Sequence, residues 1–130
     1  MTEILILTIL VKCLEPYSVQ GKTTTVVMVP FTGTAEGRFF NGTILGQGCD
    51  TQHYVNGKGG LSARYMIEGV DIAGQKCRIF IDNSEQDENG FHPKIVTDSK
   101  ALADWENLPL RADVLPAEGG VTVKIYKPAQ

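Results

Sequence analysis

Asp50, Gln52 and Tyr54 alternate along one short stretch of the chain, and alternation in an extended strand sends all three to one face. A carboxylate flanked by an amide and a phenol suits proton transfer: the acid takes or returns a proton while its neighbours orient it or touch a ligand. A turn later, Arg64 is the sole charge between Leu61 and Ile67. Ser62, Arg64 and Met66 share one face of that strand, and Ala63, Tyr65 and Ile67 share the other. If Arg64 points inward, a guanidinium in apolar surroundings needs a carboxylate, and Asp50 on the preceding strand is its expected partner. That pair has two readings. It is either an ion pair holding strand register, or a catalytic pair with Asp50 as acid or base and Arg64 stabilising charge on a carbonyl-bearing or anionic ligand.

Two further groups are candidates for contact with a ligand. Asn83 ends the strand Lys76 to Asn83 and serves either as a hydrogen bonder at the rim of a pocket or as a turn former. His92, before Pro93 and beside an acidic stretch, is either a proton-transfer group at a pocket mouth or a solvated side chain. Cys49 and His53 do not make a nucleophile and base, because four residues along a strand separate their α-carbons by roughly 13 Å.

Other motifs fail on spacing. Gly21-Lys22-Thr23 lacks the glycine five positions upstream that a phosphate-binding loop requires, and β-branched residues follow where a helix should begin. Gly46-Gln47-Gly48 lacks the third glycine of a dinucleotide fingerprint, with Thr51 in its place. Neither histidine sits in a metal-ligand pattern, so no metal and no cofactor are expected.

The elements that must position these residues are strands. In 130 residues, one domain's worth, Val, Ile and Thr make up about a quarter of the chain, and the 14 glycines fall between apolar runs. The first strand covers about Glu3 to Cys13, and a second runs from Lys22 to Phe31 with Pro30 ending or edging it. Asn41-Gly42 reads as a hairpin turn, as do Asn56 to Gly60 and Ile72 to Gln75. Ser84 to Gly90 is acidic and apolar-free, an exposed loop. A short helix is expected within residues 99–108, capped by Asp98 or Ser99 and stopped by Pro109. Two closing strands flank Pro116 to Gly120. The expectation is therefore an all-β fold, residues 1–130 forming a closed antiparallel β-barrel of about eight or nine strands with one short helix, because closure removes the sheet edges. An eight-stranded barrel either fills with side chains or holds one small ligand.

The charge balance, 12 basic against 15 acidic residues, and the absence of a basic cluster argue against nucleic-acid binding. The apolar run Ile4 to Val11 is far short of the ~20 residues of a spanning helix, so no membrane association is expected. Three cysteines without paired spacing suit a reducing, cytoplasmic setting.

The pattern Phe31-Thr-Gly33, Glu36-Gly37, Asn41 to Leu45, Gly48-Cys-Asp50 and Leu61-Ser-Ala-Arg-Tyr65 resembles a family of small bacterial and fungal β-barrel proteins of unknown function. There a glycine-rich turn leads to G-G-x-D-W and then to a D-A-R-Y-like strand. The resemblance implies a closed antiparallel barrel, usually in an oligomer, and it maps Asp50, Arg64 and Tyr65 onto the family's Asp and Arg-Tyr positions, adding Tyr65 to the ligand contacts. This chain departs from it at Cys49, Thr51 and Ser62. The expected function is a cytosolic barrel binding a small oxygenated metabolite, with a cofactor-independent isomerase or lyase as the catalytic form. The alternative is a non-catalytic carrier or accessory subunit; a homo-oligomer is expected in either case.

Overall fold

Each β-branched run becomes a strand. A computed structural model describes residues 2–129, which fold as β1 (Glu3–Cys13), β2 (Tyr17–Gln20), β3 (Thr24–Glu36), β4 (Phe40–Ile44), β5 (Gly48–Val55), β6 (Lys58–Gly60), β7 (Ala63–Asp71), β8 (Lys76–Asn83), β9 (Gln86–Asp87), β10 (Gly90–Phe91), β11 (Lys94–Thr97), β12 (Arg111–Ala117) and β13 (Gly120–Pro128). All pairings are antiparallel, within one sheet of order β11-β8-β7-β4-β3-β1-β13-β12-β10-β9.

The core is a closed antiparallel barrel. β4 and β5 lie end to end between β3 and β7, so β3, β4, β7 and β5 form a ring of pairings. At the far side, β10 bonds β12 and β11 bonds β8, and only His92 and Pro93 separate β10 from β11. The segment from Gly90 to Thr97 therefore joins the two ends of the sheet. The 13 strands exceed the eight or nine expected, and the surplus has a physical origin. Two walls, β4 with β5 and β10 with β11, are interrupted, while β2, β6 and β9 are short hairpin additions. β2, the first half of β3, β5 and β6 extend the barrel as a small sheet.

Alternation separates the inside from the outside. On β7, Ala63, Tyr65 and Ile67 are buried while Arg64 and Met66 are exposed. Cys77, Ile79, Ile81 and Asn83 are the buried set on β8. Leu7 and Ile9 from β1 and Ile125 from β13 complete this interior.

Two local expectations are corrected. Asn41 and Gly42 are not a turn but lie inside β4, and the chain reverses upstream, between Glu36 and Phe40. Gly42 instead faces Gly69 across β4 and β7, where a Cβ would come within 2.3 Å of the Glu68 carbonyl oxygen. Pro30 does not end its strand but sits at a local edge of it, the other of its two expected places. Its carbonyl accepts the Leu14 amide at 2.8 Å, so the side of β3 that lacks an N–H faces the break between β1 and β2, where no ladder bond is lost. The helix within residues 99–108 is a single 3-10 turn, Ala103–Glu106. Leu102, Trp105 and Leu108 recur every three residues, the period of a 3-10 helix, so one tight turn suffices to seat them against the barrel end. Trp105 is buried and meets Phe39 edge-on, with ring centroids 6.1 Å apart. Ser99 does hold the start of that segment, accepting the Leu102 amide at 3.2 Å. The acidic stretch is exposed as expected, though it contains the β9–β10 hairpin.

Candidate functional site

Inside the barrel lies a cavity of about 230 Å3. Val11, Val29, Val114, Val121 and Val123 give it a wall of small apolar groups, and β5, β7 and β8 contribute Asp50, Gln52, Tyr65 and Asn83.

Asp50 is 9% exposed. Its side chain faces inward because it sits opposite Val29 on β3 and Ala63 on β7, and directly opposed residues share a face. The Ser62 amide donates to Oδ1 at 2.8 Å, and Gln52 Nε2 donates to Oδ2 at 2.6 Å. Tyr54 Oη donates in turn to Gln52 Oε1 at 2.6 Å. Expected from alternation alone, this triad is a chain of hydrogen bonds in which each member fixes the next. A carboxylate has about four acceptor sites, so two remain for a ligand.

Tyr65 and Asn83 form a second polar point in the same cavity. The Tyr65 ring packs edge-on against Phe31, with centroids 5.3 Å apart. Gly48 makes that packing feasible: a Cβ there would lie 2.5 Å from the Phe31 ring and 2.7 Å from Tyr65 Cβ. Neither Tyr65 Oη nor Asn83 Oδ1 has a protein partner, although both are buried. Burial pushes the Tyr65 phenol up, which keeps it a protonated donor.

Arg64 is a correction. It does not pair with Asp50, because across β5 it faces Cys49 and across β8 it faces Asp82. A one-residue offset on a strand is a change of face. Arg64 Nε donates to Asp82 Oδ2 at 3.2 Å on the barrel exterior, with 56% of its side chain exposed. His92 is also outside the cavity lining. It sits at the seam between β10 and β11, its Nδ1 3.1 Å from the Leu110 carbonyl and its Nε2 2.8 Å from Asp87 Oδ1. Hydrogen bonding to Asp87 above all, then to Leu110, raises its pKa from the ordinary 6.5. Asn83, the last residue of β8, lines the cavity. Cys49 lies with Arg64 on the face away from the cavity, and His53 is exposed.

Sequence reasoning missed the wall. Val11 and Cys13 follow Ile9 at period two on β1 and could have been found from that buried neighbour. Val114, Val121 and Val123 arrive by closure of the barrel and carry no such local signal. The site thus offers one anchored carboxylate, one buried phenol and two amides in largely apolar surroundings, where a low local polarity strengthens hydrogen bonds.

No protein-family model matches the chain, and neither does any curated protein. Solved structures do. A protein of unknown function from Clostridium acetobutylicum is 23% identical with a TM-score of 0.79, over 98% of this chain and 96% of that one. A conserved protein of unknown function from Rhodopseudomonas palustris is 15% identical with a TM-score of 0.79, over 97% and 96%. An enzyme from Penicillium herquei is 13% identical with a TM-score of 0.71, over 97% and 92%. At these identities the likeness is one of fold, and the chain shares its barrel architecture with small bacterial proteins of unknown function.

Proposed function

We propose that the barrel binds a small oxygenated metabolite in its cavity and that Asp50 performs acid–base chemistry on it. The observation that carries this reading is the Asp50 carboxylate, held at both oxygens by Ser62 and Gln52 in a cavity walled mostly by apolar side chains. In an isomerisation, Asp50 takes a proton from one position of the substrate and returns it to another. In an elimination, it takes the proton while the electron pair expels a leaving group. Neither step requires a cofactor. The existence of an enzyme with this fold supports the catalytic reading. The motif-level resemblance at Asp50 and Tyr65, a cytosolic setting suited to three unpaired cysteines, and a homo-oligomer belong to the same proposal.

A carrier is the second reading, favoured by one observation: Arg64 and His92, the expected charge stabiliser and proton shuttle, lie outside the cavity lining. Asp50→Asn separates the two. The substitution can keep its fold, because Oδ1 still accepts from Ser62 and a flipped Gln52 amide accepts from the new Nδ2. Under the catalytic reading, turnover of a ring alcohol or phenol drops at least about 100-fold, in the range typical of lost acid–base catalysis, while ligand-induced thermal stabilisation persists. A carrier shows the stabilisation in both proteins and turnover in neither. Strong destabilisation of the variant, with no compound raising the Tm of the parent protein, overturns the site altogether. Arg64→Met changes neither readout.

A further inference from the structure

Resting on the cavity reading above, we infer that the ligand is a small, uncharged α-hydroxy carbonyl compound, read by the acceptor and donor that Asp50 and Gln52 present side by side. Both residues line the cavity; Gln52 is partly exposed and Asp50 retains 9% of its surface, whereas Tyr65 Oη and Asn83 Oδ1 are fully buried and out of a ligand's reach. The orientation of the Gln52 amide is fixed at both ends. An ionised carboxylate only accepts, so Nε2 faces Asp50 Oδ2 at 2.6 Å, and Oε1 takes the Tyr54 hydroxyl. Nε2 carries two hydrogens, and the second has no protein acceptor among the described residues. Each Asp50 oxygen has one donor, from Ser62 or from Gln52, and keeps a free acceptor site.

An acceptor beside a donor matches a ligand that carries the reverse pair on adjacent atoms. Two oxygens on neighbouring carbons stand about as far apart as Asp50 Oδ2 and Gln52 Nε2, so a hydroxyl donates to Asp50 while the carbonyl next to it accepts from Gln52. The same arrangement serves the acid–base role of Asp50. Its other free site takes the carbinol C–H proton, the electron pair of that bond forms the C=C bond of an enediolate, and the carbonyl π pair moves onto the oxygen facing Gln52. The hydroxyl proton passes to that oxygen, and Asp50 returns its own proton to the former carbonyl carbon. Carbonyl and hydroxyl have then exchanged places with no outside oxidant or reductant. Charge and size narrow the class further. Among the described residues, the lining contains no Lys, Arg or His, so an anionic ligand would lose its hydration with no cation to replace it. An apolar cavity of ~150 Å3 holds one benzene ring, so about 230 Å3 takes one ring bearing both oxygens. This replaces the anion-clamping role first expected of Arg64.

Probes of one ring size test the assignment by isothermal titration: α-hydroxycyclohexanone, cyclohexanone, cyclohexanol, the vicinal cyclohexane diol and δ-valerolactam. The hydroxy ketone is expected to bind about tenfold more tightly than cyclohexanone or cyclohexanol, as fits one added hydrogen bond in a buried site. Gln52→Leu is expected to bring it to the affinity of cyclohexanol. In deuterium oxide the parent protein exchanges the carbinol C–H of the hydroxy ketone for deuterium, and Asp50→Asn does not. Equal binding of the hydroxy ketone, cyclohexanone and cyclohexanol by the parent protein overturns the inference without recourse to a variant. The diol matching the hydroxy ketone overturns the carbonyl, and the lactam exceeding it overturns the hydroxyl. A preference that survives in Gln52→Leu, shown to be folded by its melting transition, overturns the reading by Gln52. Preferred binding of the hydroxy ketone without exchange supports the ligand class and overturns the catalytic reading in favour of a carrier. Failure of all five probes overturns the cavity reading itself and this inference with it.

Discussion

Tyr65 carries the clearest energetic signature of any residue in the barrel. An unpaired buried hydroxyl costs about 1–3 kcal/mol in desolvation, and the ring without it keeps its edge contact to Phe31. Tyr65→Phe in the ligand-free protein is therefore expected to match the parent or exceed it by about 1 kcal/mol in urea denaturation. A loss of more than that would show that the hydroxyl already has a resident partner. His92 makes a different case, a side chain with an acceptor beside each ring nitrogen. Its two ring nitrogens face the Leu110 carbonyl and the Asp87 carboxylate, two acceptors that only the imidazolium can serve with N–H groups at once. Because its pKa is raised in the folded protein, its stabilising contribution is fully present below the unfolded value near 6.5 and disappears as pH rises through the folded value. Asp87, lowered by the same contact, loses its share only as pH falls through its own depressed range. The stability gap between the parent and His92→Gln should narrow steadily from pH 6 to pH 9; a gap that widens across that range would reverse the assignment. Both residues were visible in the sequence as candidates. Their placement was not, because a strand pattern gives two faces without saying which is the lumen, and because the partners of His92 are brought to it by the fold, Asp87 from β9 and Leu110 from just before β12.

Strand existence was legible from composition, while strand breaks were legible only where backbone conformation demanded glycine. Asn56 and Gly57, with positive φ of 54° and 75°, form the tight turn expected between β5 and β6, and Gly74 turns β7 into β8 with φ 78°. Gly42 misled because its reason is different: it lets β4 approach β7 closely, a tertiary cause that mimics a turn signal. The pair Gly46 and Gly48 divides in the same way. Gly46 has φ 56° and open space around it, so it serves the bend between β4 and β5. Gly48 serves packing, since Phe31 and Tyr65 occupy the volume a side chain would need. Gly48→Ala should cost about 1–3 kcal/mol of stability by overpacking and should displace Tyr65, weakening any cavity ligand. Gly46→Asn, whose side chain tolerates positive φ, should cost less than half as much by the same denaturation measurement. Equal costs at the two positions would contradict this division between turn and packing.

At the scale of the molecule, closure protects the barrel but not its extension. The segment from Gly90 to Thr97 ties the ends of the sheet together, leaving β2 as a free edge on β3. All four residues of β2 are exposed. The strand contains no charge, no proline and no bulge, the devices that ordinarily keep an edge from pairing with another chain, and Tyr17 and Val19 present 58% and 65% of their surface. The same edge on a second copy is a complement by symmetry: two β2 strands running antiparallel about a two-fold axis form an isologous contact that adds a ladder and covers both apolar pairs. This gives the proposed homo-oligomer a specific form, a dimer whose two barrels are joined through their extensions. Sedimentation equilibrium should show a dimer for the parent protein and a monomer for Val19→Lys, a substitution that charges the edge without touching the barrel core. A monomeric parent, or a dimer indifferent to Val19→Lys, would place the self-association elsewhere or remove it.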